Sequence, residues 1–310
     1  MKQKRILITG GAGFIGSHVA DRFIEEGYSV AIVDNVTSGH KGNINPQARF
    51  YPVDIVSSKN LEEVFKEERP DYVNHHAAQI SVNSSIQDPI KDARVNILGS
   101  LNVLENCRQF HISKIVFVSS GGAIYGEPKH LPCDEYHPIN PISPYGAAKF
   151  TVENYLQLYE RLHGLNFTSL RYANVYGPRQ NPNGEAGVIA IFAKAMLQGD
   201  NIVIFGDGHQ ERDYVYVSDV VEANLLAIDN EPSGMYNIGT GIGTSLKEIV
   251  QHLRSIIQYD KQPIYKQSRP GDIYKISLDS TKAFKELGWK PKVSQKDGLK
   301  STVEYLMNSK

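Results

Sequence analysis

Two side chains that could transfer a proton, Tyr145 and Lys149, stand four residues apart near the middle of the chain. This spacing places both on one face of a helix. A tyrosine has an ordinary pKa of about 10, so it becomes a useful base only if a nearby ammonium group stabilises its phenolate. Because the same spacing is common on surface helices, the pair needs support from its surroundings.

A strand-like segment at residues 114–119 runs into the sequence SSGG at residues 119–122, shortly before the pair. A Pro-rich loop at residues 138–144 leads directly into the helix that carries Tyr145. In a parallel α/β sheet, the carboxyl ends of the strands form the crevice in which ligands bind. The serines and the tyrosine can therefore meet there, which favours a catalytic role for the pair.

A glycine-rich turn near the N-terminus, GGAGFIG at residues 10–16, follows a predicted strand and opens a predicted helix. Gly10, Gly13 and Gly16 allow a tight turn, a close approach of the backbone to a pyrophosphate and tight packing of helix on strand. Phe14 and Ile15 stand at the start of the helix, where backbone N–H groups attract phosphate. The turn therefore predicts a dinucleotide site.

The second predicted strand, residues 29–34, ends in Asp34, eighteen residues after Gly16. A carboxylate at this position binds the ribose diol of a dinucleotide and repels a 2′-phosphate, which favours NAD over NADP. Lys41 is close in sequence and could meet a phosphate, so NADP stays open as the alternative cofactor.

The composition argues against several other classes of protein. The 310 residues include 33 basic and 34 acidic side chains, and we expect neither a nucleic-acid partner nor an acidic membrane partner. The two cysteines and ten histidines lack zinc-ligand spacing, so we predict no metal site. Because no apolar run approaches the length of a membrane span, we expect a cytoplasmic protein.

Strand-like and helix-like segments alternate through the first half of the chain, which is typical of βαβ units and a parallel sheet. We therefore predict an α/β fold with a doubly wound, Rossmann-type sheet. Loops rich in Pro, Gly and Asn follow Tyr172. We predict an NAD-binding domain at residues 1–172 and a smaller, interrupted substrate-binding lobe at residues 173–310. Elements near 215–240, at residues 215–221 and 236–239, are expected to return to the main sheet.

Motifs along nearly the whole chain together resemble the extended short-chain dehydrogenase/reductase family. They are the glycine-rich turn, Asp34-Asn35, Asp54-Ile55, NHHAA at 74–78, Asn96, YxxxK, RYANVYGPR at 171–179, RDY at 212–214 and RPGD at 269–272. Each motif is modest, but their order and spacing are specific. The resemblance is greatest to members that epimerise a UDP-hexose at C4.

The resemblance implies a role for each matching residue. Tyr145 would be the catalytic base, and Lys149 would bind the nicotinamide ribose of NAD and tune Tyr145. Further cofactor contacts would come from Asn35, Asp54, Ile55, Ala77, Ala78 and Asn96. The UDP portion of the substrate would be held by Asn174, Arg212, Arg269 and Asp272, and a diphosphate does call for charge-assisted donors.

Two positions bear on the reaction and its substrate. The epimerases place Ser or Thr four residues before the tyrosine of a VYG motif, here Tyr125, and this chain has Gly121 there. We predict that Ser120 supplies the missing hydroxyl and contacts the substrate. Ile276, four residues after Asp272, would limit the room for an N-acetyl group. Its intermediate size leaves both UDP-glucose/galactose and the N-acetyl pair open.

The two positions after Gly121 separate related reactions. Sugar dehydratases of this family carry an Asp-Glu pair there, and the decarboxylases usually carry Glu at the second position. This chain has Gly122 and Ala123. The absence of both carboxylates favours epimerisation, with NAD retained and a transient 4-keto intermediate.

The predicted helices 92–110 and 145–162 carry apolar stripes that include Ile97, Leu101 and Leu104. In family members such helices pair across a homodimer as a four-helix bundle, so the resemblance implies a homodimer. The stripes could instead simply cover the sheet.

Two alternative functions stay open. One is another nucleotide-sugar enzyme of the family, a decarboxylase, a dehydratase or an epimerase at another carbon. The other is a dinucleotide-binding sensor without catalysis.

Overall fold

The computed structural model describes residues 3–183, 187–229, 233–268 and 273–309. The strands within these ranges are β1 (Arg5–Thr9), β2 (Ser29–Val33), β3 (Arg49–Tyr51), β4 (Tyr72–His75), β5 (Lys114–Ser120), β6 (Asn166–Tyr172), β7 (Asn174–Tyr176), β8 (Val203–Phe205), β9 (Glu211–Tyr216), β10 (Gly234–Ile238), β11 (Gly243–Ser245), β12 (Ile264–Lys266) and β13 (Lys275–Ile276).

The helices are α1 (Phe14–Glu25), α2 (Ser58–Glu68), α3 (Val82–Gln87), α4 (Pro89–Ala93), α5 (Ser100–Gln109), α6 (Gly121–Ile124), α7 (Pro144–His163), α8 (Val188–Leu197), α9 (Val217–Asp229), α10 (Leu246–Ile257), α11 (Thr281–Leu287) and α12 (Gln295–Asn308). A 3₁₀ turn lies at Lys41–Asn43, and a π-helical turn at Arg94–Gly99 joins α4 to α5.

The main sheet is parallel, with strand order β3-β2-β1-β4-β5-β6-β10. Successive residues of β1 point to opposite faces. Ile6 and Ile8 pack in the core formed with α1 and α9, and Leu7 packs in the core formed with α2, α5 and α7. Helices therefore cover both faces, and the predicted doubly wound α/β fold is confirmed.

A second, smaller sheet has the order β11-β9-β13, with β7 also paired to β9. Strands β8 and β12 form a separate parallel pair. A third apolar core, which includes Phe192, Ile204, Tyr214 and Leu253, lies among β8, β9 and helices α8, α10 and α12. These elements make the smaller part of the molecule, which carries the segments predicted to bind substrate.

One part of the predicted topology is wrong. We expected residues 215–221 to return to the main sheet, but Val215 and Tyr216 end β9, which belongs to the second sheet. Residues from Val217 onward form α9, which packs on β5 and β6 of the main sheet. Strand β10 does join the main sheet beside β6. Alternating Val and Tyr residues identify a strand but do not specify its partner.

The predicted helix at residues 92–110 begins within α4 and is widened by the π turn before α5. Ser100 Oγ donates a hydrogen bond of 2.6 Å to the Asn96 carbonyl in this turn. Such turns frequently occur at functional sites. Within the described ranges, no helix is long and apolar enough to cross a membrane.

Candidate active site

The glycine-rich turn connects β1 to α1 and forms a cradle in which side chains have no room. Gly10 has φ +72°, and a Cβ there would lie 2.6 Å from the backbone nitrogen of Ala77. A Cβ at Gly16 would overlap the carbonyl oxygen of Gly10. Gly13 is the N-cap residue of α1 and provides no side-chain hydrogen bond. The N–H groups at the start of α1, at Phe14 and Ile15, therefore face a bare backbone surface that suits a pyrophosphate.

The Asp34 carboxylate is anchored beside this cradle, directly after β2. Its Oδ2 accepts a hydrogen bond of 3.0 Å from the Ala12 N–H, and its Oδ1 accepts one of 2.8 Å from Val36. Each carboxylate oxygen can accept further bonds. The geometry thus leaves Asp34 able to bind a ribose diol, the role predicted from its position.

The residues predicted to contact adenine lie near Asp34. Asn35 Nδ2 donates a hydrogen bond of 2.9 Å to Asp54 Oδ2, and both residues are at the surface or half-buried. Ile55 is only 4% exposed and packs in the core, where a Cβ at Gly99 would lie 2.7 Å from its Cδ1. The side chain of Ile55 therefore supports the fold beneath this region.

The loop after β4 carries Ala77 and Ala78, which the resemblance places at the cofactor. Thr9 Oγ1 accepts a hydrogen bond of 3.2 Å from the Ala77 N–H. Asn96 accepts a bond of 2.8 Å from the Gln79 N–H and donates one of 3.0 Å to the Gln79 carbonyl. Because the Asn96 amide is buried and engaged in this way, it shapes the loop.

The structure brings Tyr145, Lys149 and Ser120 together at the carboxyl end of β5. Pro144 begins α7, and the Ser143 hydroxyl caps the helix by accepting a hydrogen bond of 3.1 Å from the Gly146 N–H. Tyr145 is half-buried and forms a side-chain hydrogen bond with Ser120. Lys149 Nζ donates a bond of 2.8 Å to the Val118 carbonyl.

The electrostatics of this group depend on burial. Burial raises the pKa of Tyr145 to about 12, the hydrogen bond with Ser120 lowers it, and the charge of Asp92 raises it. Burial lowers the pKa of Lys149 to about 8, against the opposite effect of Asp92 and Glu153. The Lys149 ammonium lies 5.8 Å from the centroid of the Tyr145 ring. A cation so placed can stabilise a phenolate.

The departure at Gly121 has a steric reason. A Cβ at Gly121 would lie 2.5 Å from Cδ1 of the buried Leu278, so serine does not fit without a shift of this contact. A Cβ at Gly122 would instead lie 3.7 Å from Asn174 Oδ1 and 4.0 Å from Ser120 Oγ. Position 122 thus faces the same cleft as Ser120 and Asn174, and a glycine at this position places no carboxylate there.

The residues predicted to bind substrate are only partly described. Asn174 lies on β7, and half-buried Arg212 on β9 donates a hydrogen bond of 2.9 Å to the Glu211 carbonyl. Arg269 and Asp272 lie outside the described residues. Ile276 on β13 pairs with Arg212, is 2% exposed and packs in the core shared with α9.

One buried carboxylate near the pair escaped the sequence analysis. Asp92 on α4 is 1% exposed and accepts hydrogen bonds from Gln79 and Asn96. The available signal was the spacing of Asp92 and Asn96, four residues apart and so on one helical face. Nothing in the sequence indicated that this face is turned inward.

Comparisons with known proteins fit this geometry. The model of the NAD dependent epimerase/dehydratase family matches residues 6–239. The chain belongs to this family.

Individual family members are similar over the full length. A protein named as a putative UDP-glucose 4-epimerase from Methanocaldococcus jannaschii is 50% identical, covering 98% of this chain and 99% of that protein. The crystal structure of a Thermotoga maritima UDP-glucose 4-epimerase with UDP-glucose is 53% identical, with TM-score 0.97 and coverage of 98% and 99%. A UDP-N-acetylglucosamine 4-epimerase from Methanobrevibacter ruminantium, in complex with UDP-N-acetylmuramic acid, is 34% identical, with TM-score 0.94 and complete coverage (100%) of both chains.

Proposed function

We propose that this chain is an NAD-dependent isomerase that interconverts the C4 epimers of a UDP-hexose. The observation that carries the proposal is the meeting of Ser120, Tyr145 and Lys149 at the end of β5. The full-length similarity to proteins named UDP-glucose 4-epimerases supports it. The presence of both Tyr145 and Lys149 argues against a dinucleotide-binding sensor without catalysis.

The cofactor site fits NAD. The side-chain-free cradle of Gly10, Gly13 and Gly16 suits the pyrophosphate, and Asp34 suits the adenosine ribose. Bound NAD supplies a hydride acceptor and donor for the sugar C4. We assign the further contacts to Phe14, Ile15, Asn35, Asp54, Ile55, Ala77, Ala78 and Asn96.

In the proposed reaction, Tyr145 as phenolate accepts the proton of the sugar 4-hydroxyl, and a 4-keto sugar forms transiently. Lys149 stabilises the phenolate as an ammonium, and the Ser120 hydroxyl donates a hydrogen bond to the reacting oxygen. The ketose then presents its opposite face, and Tyr145 returns the proton to the new hydroxyl. The reaction involves no net oxidation, so the cofactor stays bound through many turnovers.

The nucleotide anchors the substrate while the sugar turns. We assign this anchoring to Asn174 and Arg212, together with Arg269 and Asp272, because guanidinium groups suit a diphosphate. Asn174 lies across the cleft from Ser120, as the position of Gly122 between them indicates. The anchor and the reacting group are thus close but separate.

Both UDP-galactose and its N-acetyl counterpart are candidate substrates. The Thermotoga maritima structure contains UDP-glucose, and the Methanobrevibacter ruminantium protein is named for an N-acetyl sugar. The greater identity to the former, 53% against 34%, favours UDP-glucose and UDP-galactose. We include Ile276 among the residues that limit the sugar pocket.

Proton NMR of the purified protein with UDP-galactose and no added NAD tests this proposal. We expect UDP-glucose to appear, which requires both C4 epimerisation and a retained cofactor. Parallel reactions with UDP-N-acetylgalactosamine and UDP-glucuronate measure preference and test decarboxylation. Absence of any epimer, with or without added NAD, would rule out the proposed reaction.

We also propose that the protein is cytoplasmic and forms a homodimer, in which the π turn with α5 and helix α7 of each copy pair as a four-helix bundle. Leu104 is buried against the sheet, but Leu98, Leu158 and Leu162 are 55%, 44% and 70% exposed. Exposed leucines on neighbouring helices favour a protein interface. Sedimentation should show a dimer that Leu158→Glu converts to monomer. Ile264→Glu, at a site equally exposed (44%) but on β12, should leave it intact.

A further inference from the structure

The buried carboxylate of Asp92 has one oxygen that the fold does not use. Gln79 Nε2 and Asn96 Nδ2 both donate to Oδ1, at 2.8 and 2.9 Å. Oδ2 is buried and has no hydrogen-bond partner among the described residues. Burying an unpartnered carboxylate oxygen is costly. The position therefore calls for a role other than packing.

The charges around Lys149 indicate that role. Two carboxylates, Asp92 and Glu153, raise the pKa of Lys149 against the larger effect of burial. Burial in turn raises the pKa of Asp92, and the charge of Lys149 is among the effects that lower it. Glu153 is already paired with Arg171, whose Nη2 lies 2.7 Å from Glu153 Oε2. Asp92 has no such cation of its own in the described part of the chain. It is therefore the carboxylate available to balance the buried ammonium.

We propose that Asp92 is a positioning residue, which supplies the counter-charge that keeps Lys149 an ammonium beside Tyr145. The inference rests on the proposed function, in which that ammonium stabilises the Tyr145 phenolate. Asp92 acts from α4 and also orients the Gln79 loop through its other oxygen. It contacts neither reacting atom in this account.

The remaining titratable groups around Lys149 do not compete for this role. Burial lowers the pKa of His75 and of His76 to about 3, so both are neutral over the working pH range. The Arg171–Glu153 pair is internally neutral. Asp92 also raises the pKa of Tyr145. Loss of its charge should therefore lower the pKa of both neighbours.

The pH profile of kcat tests the proposal. Asp92→Asn keeps the shape of the side chain and an oxygen for Gln79 and Asn96. We expect the two limbs of the profile, which are set by Tyr145 and Lys149, to move together to lower pH by about one unit. Asp88→Asn is the matched control, since Asp88 is exposed and stands one turn earlier, at the N-cap of α4. Limbs that do not move in Asp92→Asn, whatever happens to kcat, would overturn the proposal.

A second measurement does not depend on turnover, so it separates this inference from the proposed reaction. The Lys149 Cε resonance in carbon-13-lysine protein, assigned by its loss in Lys149→Met, should titrate at lower pH in Asp92→Asn than in Asp88→Asn. Equal titration in both variants contradicts the inference. If Asp92→Asn does not fold, the wild-type Asp92 Cγ resonance decides: a carboxylate at pH 7 supports the proposal, and a protonated carboxyl refutes it.

Discussion

Two buried cations lie near each other in this molecule, and they differ in how completely their charge is balanced. Lys149 on α7 and Arg171 on β6 are each 4% exposed. Arg171 donates to Glu153 through Nε at 3.0 Å and Nη2 at 2.7 Å, and to the Tyr125 hydroxyl at 2.9 Å. Lys149 donates to the Val118 carbonyl, and Asp92 acts on it through its charge.

The two pKa values move in opposite directions. Burial lowers the pKa of Arg171, but the hydrogen bonds and charge of Glu153 outweigh it, so the net shift is upward. Burial lowers the pKa of Lys149 to about 8, and its carboxylates do not compensate. The fully paired cation, Arg171, stabilises the fold. The incompletely balanced cation, Lys149, can stabilise the negative charge of a neighbouring phenolate.

The largest expected effect comes from removing the group that Lys149 serves. Tyr145→Phe should lower kcat by about 10⁴-fold, because the proton acceptor of the reaction is lost. Bound NAD should stay at the wild-type level. Both are measured by NMR of UDP-galactose conversion and by cofactor release on denaturation.

Tyr159→Phe is the control for this variant, since it removes a hydroxyl from the same helix, where it bonds to Glu105. It should turn over normally. A Tyr145→Phe protein with near wild-type kcat would show that Tyr145 is not the proton acceptor of the reaction.

The second largest effect should fall on stability. Glu153→Gln leaves the Arg171 guanidinium buried without its counter-charge, and breaking such a pair costs about 3–5 kcal/mol. Urea unfolding of the NAD-free protein at pH 7 measures the loss. Glu160→Gln, on the same helix but outside this pair, is the control. Equal stability of the two variants would show that the Arg171 pair does not support the fold.

Lys149→Met should increase the stability of the fold, in contrast to Glu153→Gln, and should reduce kcat. A pKa of about 8 against the ordinary 10.5 corresponds to about 3 kcal/mol of destabilisation below pH 8, where Lys149 is charged in both states. Between pH 8 and 10.5 the unfolded state binds more protons, so wild-type stability should rise with pH.

The gain of Lys149→Met over wild type should therefore be greatest at pH 7 and vanish near pH 10.5. Urea unfolding at both pH values measures it, with NAD removed from both proteins. A Lys149→Met protein that is less stable than wild type at pH 7 would show that the buried Lys149 ammonium does not destabilise the fold.

The smallest expected effect concerns Ser120. Ser120→Ala removes a hydrogen bond that lowers the pKa of Tyr145, so kcat should fall by about 10- to 100-fold and the limb of its pH profile set by Tyr145 should move to higher pH. Ser119→Ala is a matched control, because Ser119 Oγ is buried without a partner among the described residues. Steady-state rates across pH separate the two. Equal rates in the two variants would show that the Ser120 hydroxyl does not assist the reaction.

The sequence predicted the site where short-range signals define it. The glycine turn, Asp34 and the Tyr145–Lys149 helix follow from local patterns, and Ser120 was the expected replacement for the hydroxyl missing at Gly121. The reason for that glycine, a contact with Leu278 more than 150 residues away, is not a local property. The sheet joined by β9 was mispredicted for the same reason.

Asp92 is the clearest case of a residue near the site that the sequence did not indicate. Its burial depends on how α4 packs against α7, and a helix of five residues is too short for its periodicity to reveal which side faces inward. The π turn after it likewise makes tertiary hydrogen bonds, from the Gln79 N–H to Asn96 and between His75 and Ser100. Sites built across several elements need the structure.

The most direct test of the central claim follows the hydrogen on C4. UDP-galactose deuterated at C4 is converted by the purified protein in ordinary water, and the UDP-glucose formed is analysed by NMR. We predict that the deuterium remains at C4, because the hydride leaves and returns within one closed site. Deuterium replaced by solvent hydrogen at C4 would contradict the account, since the reaction would then proceed by proton exchange with water.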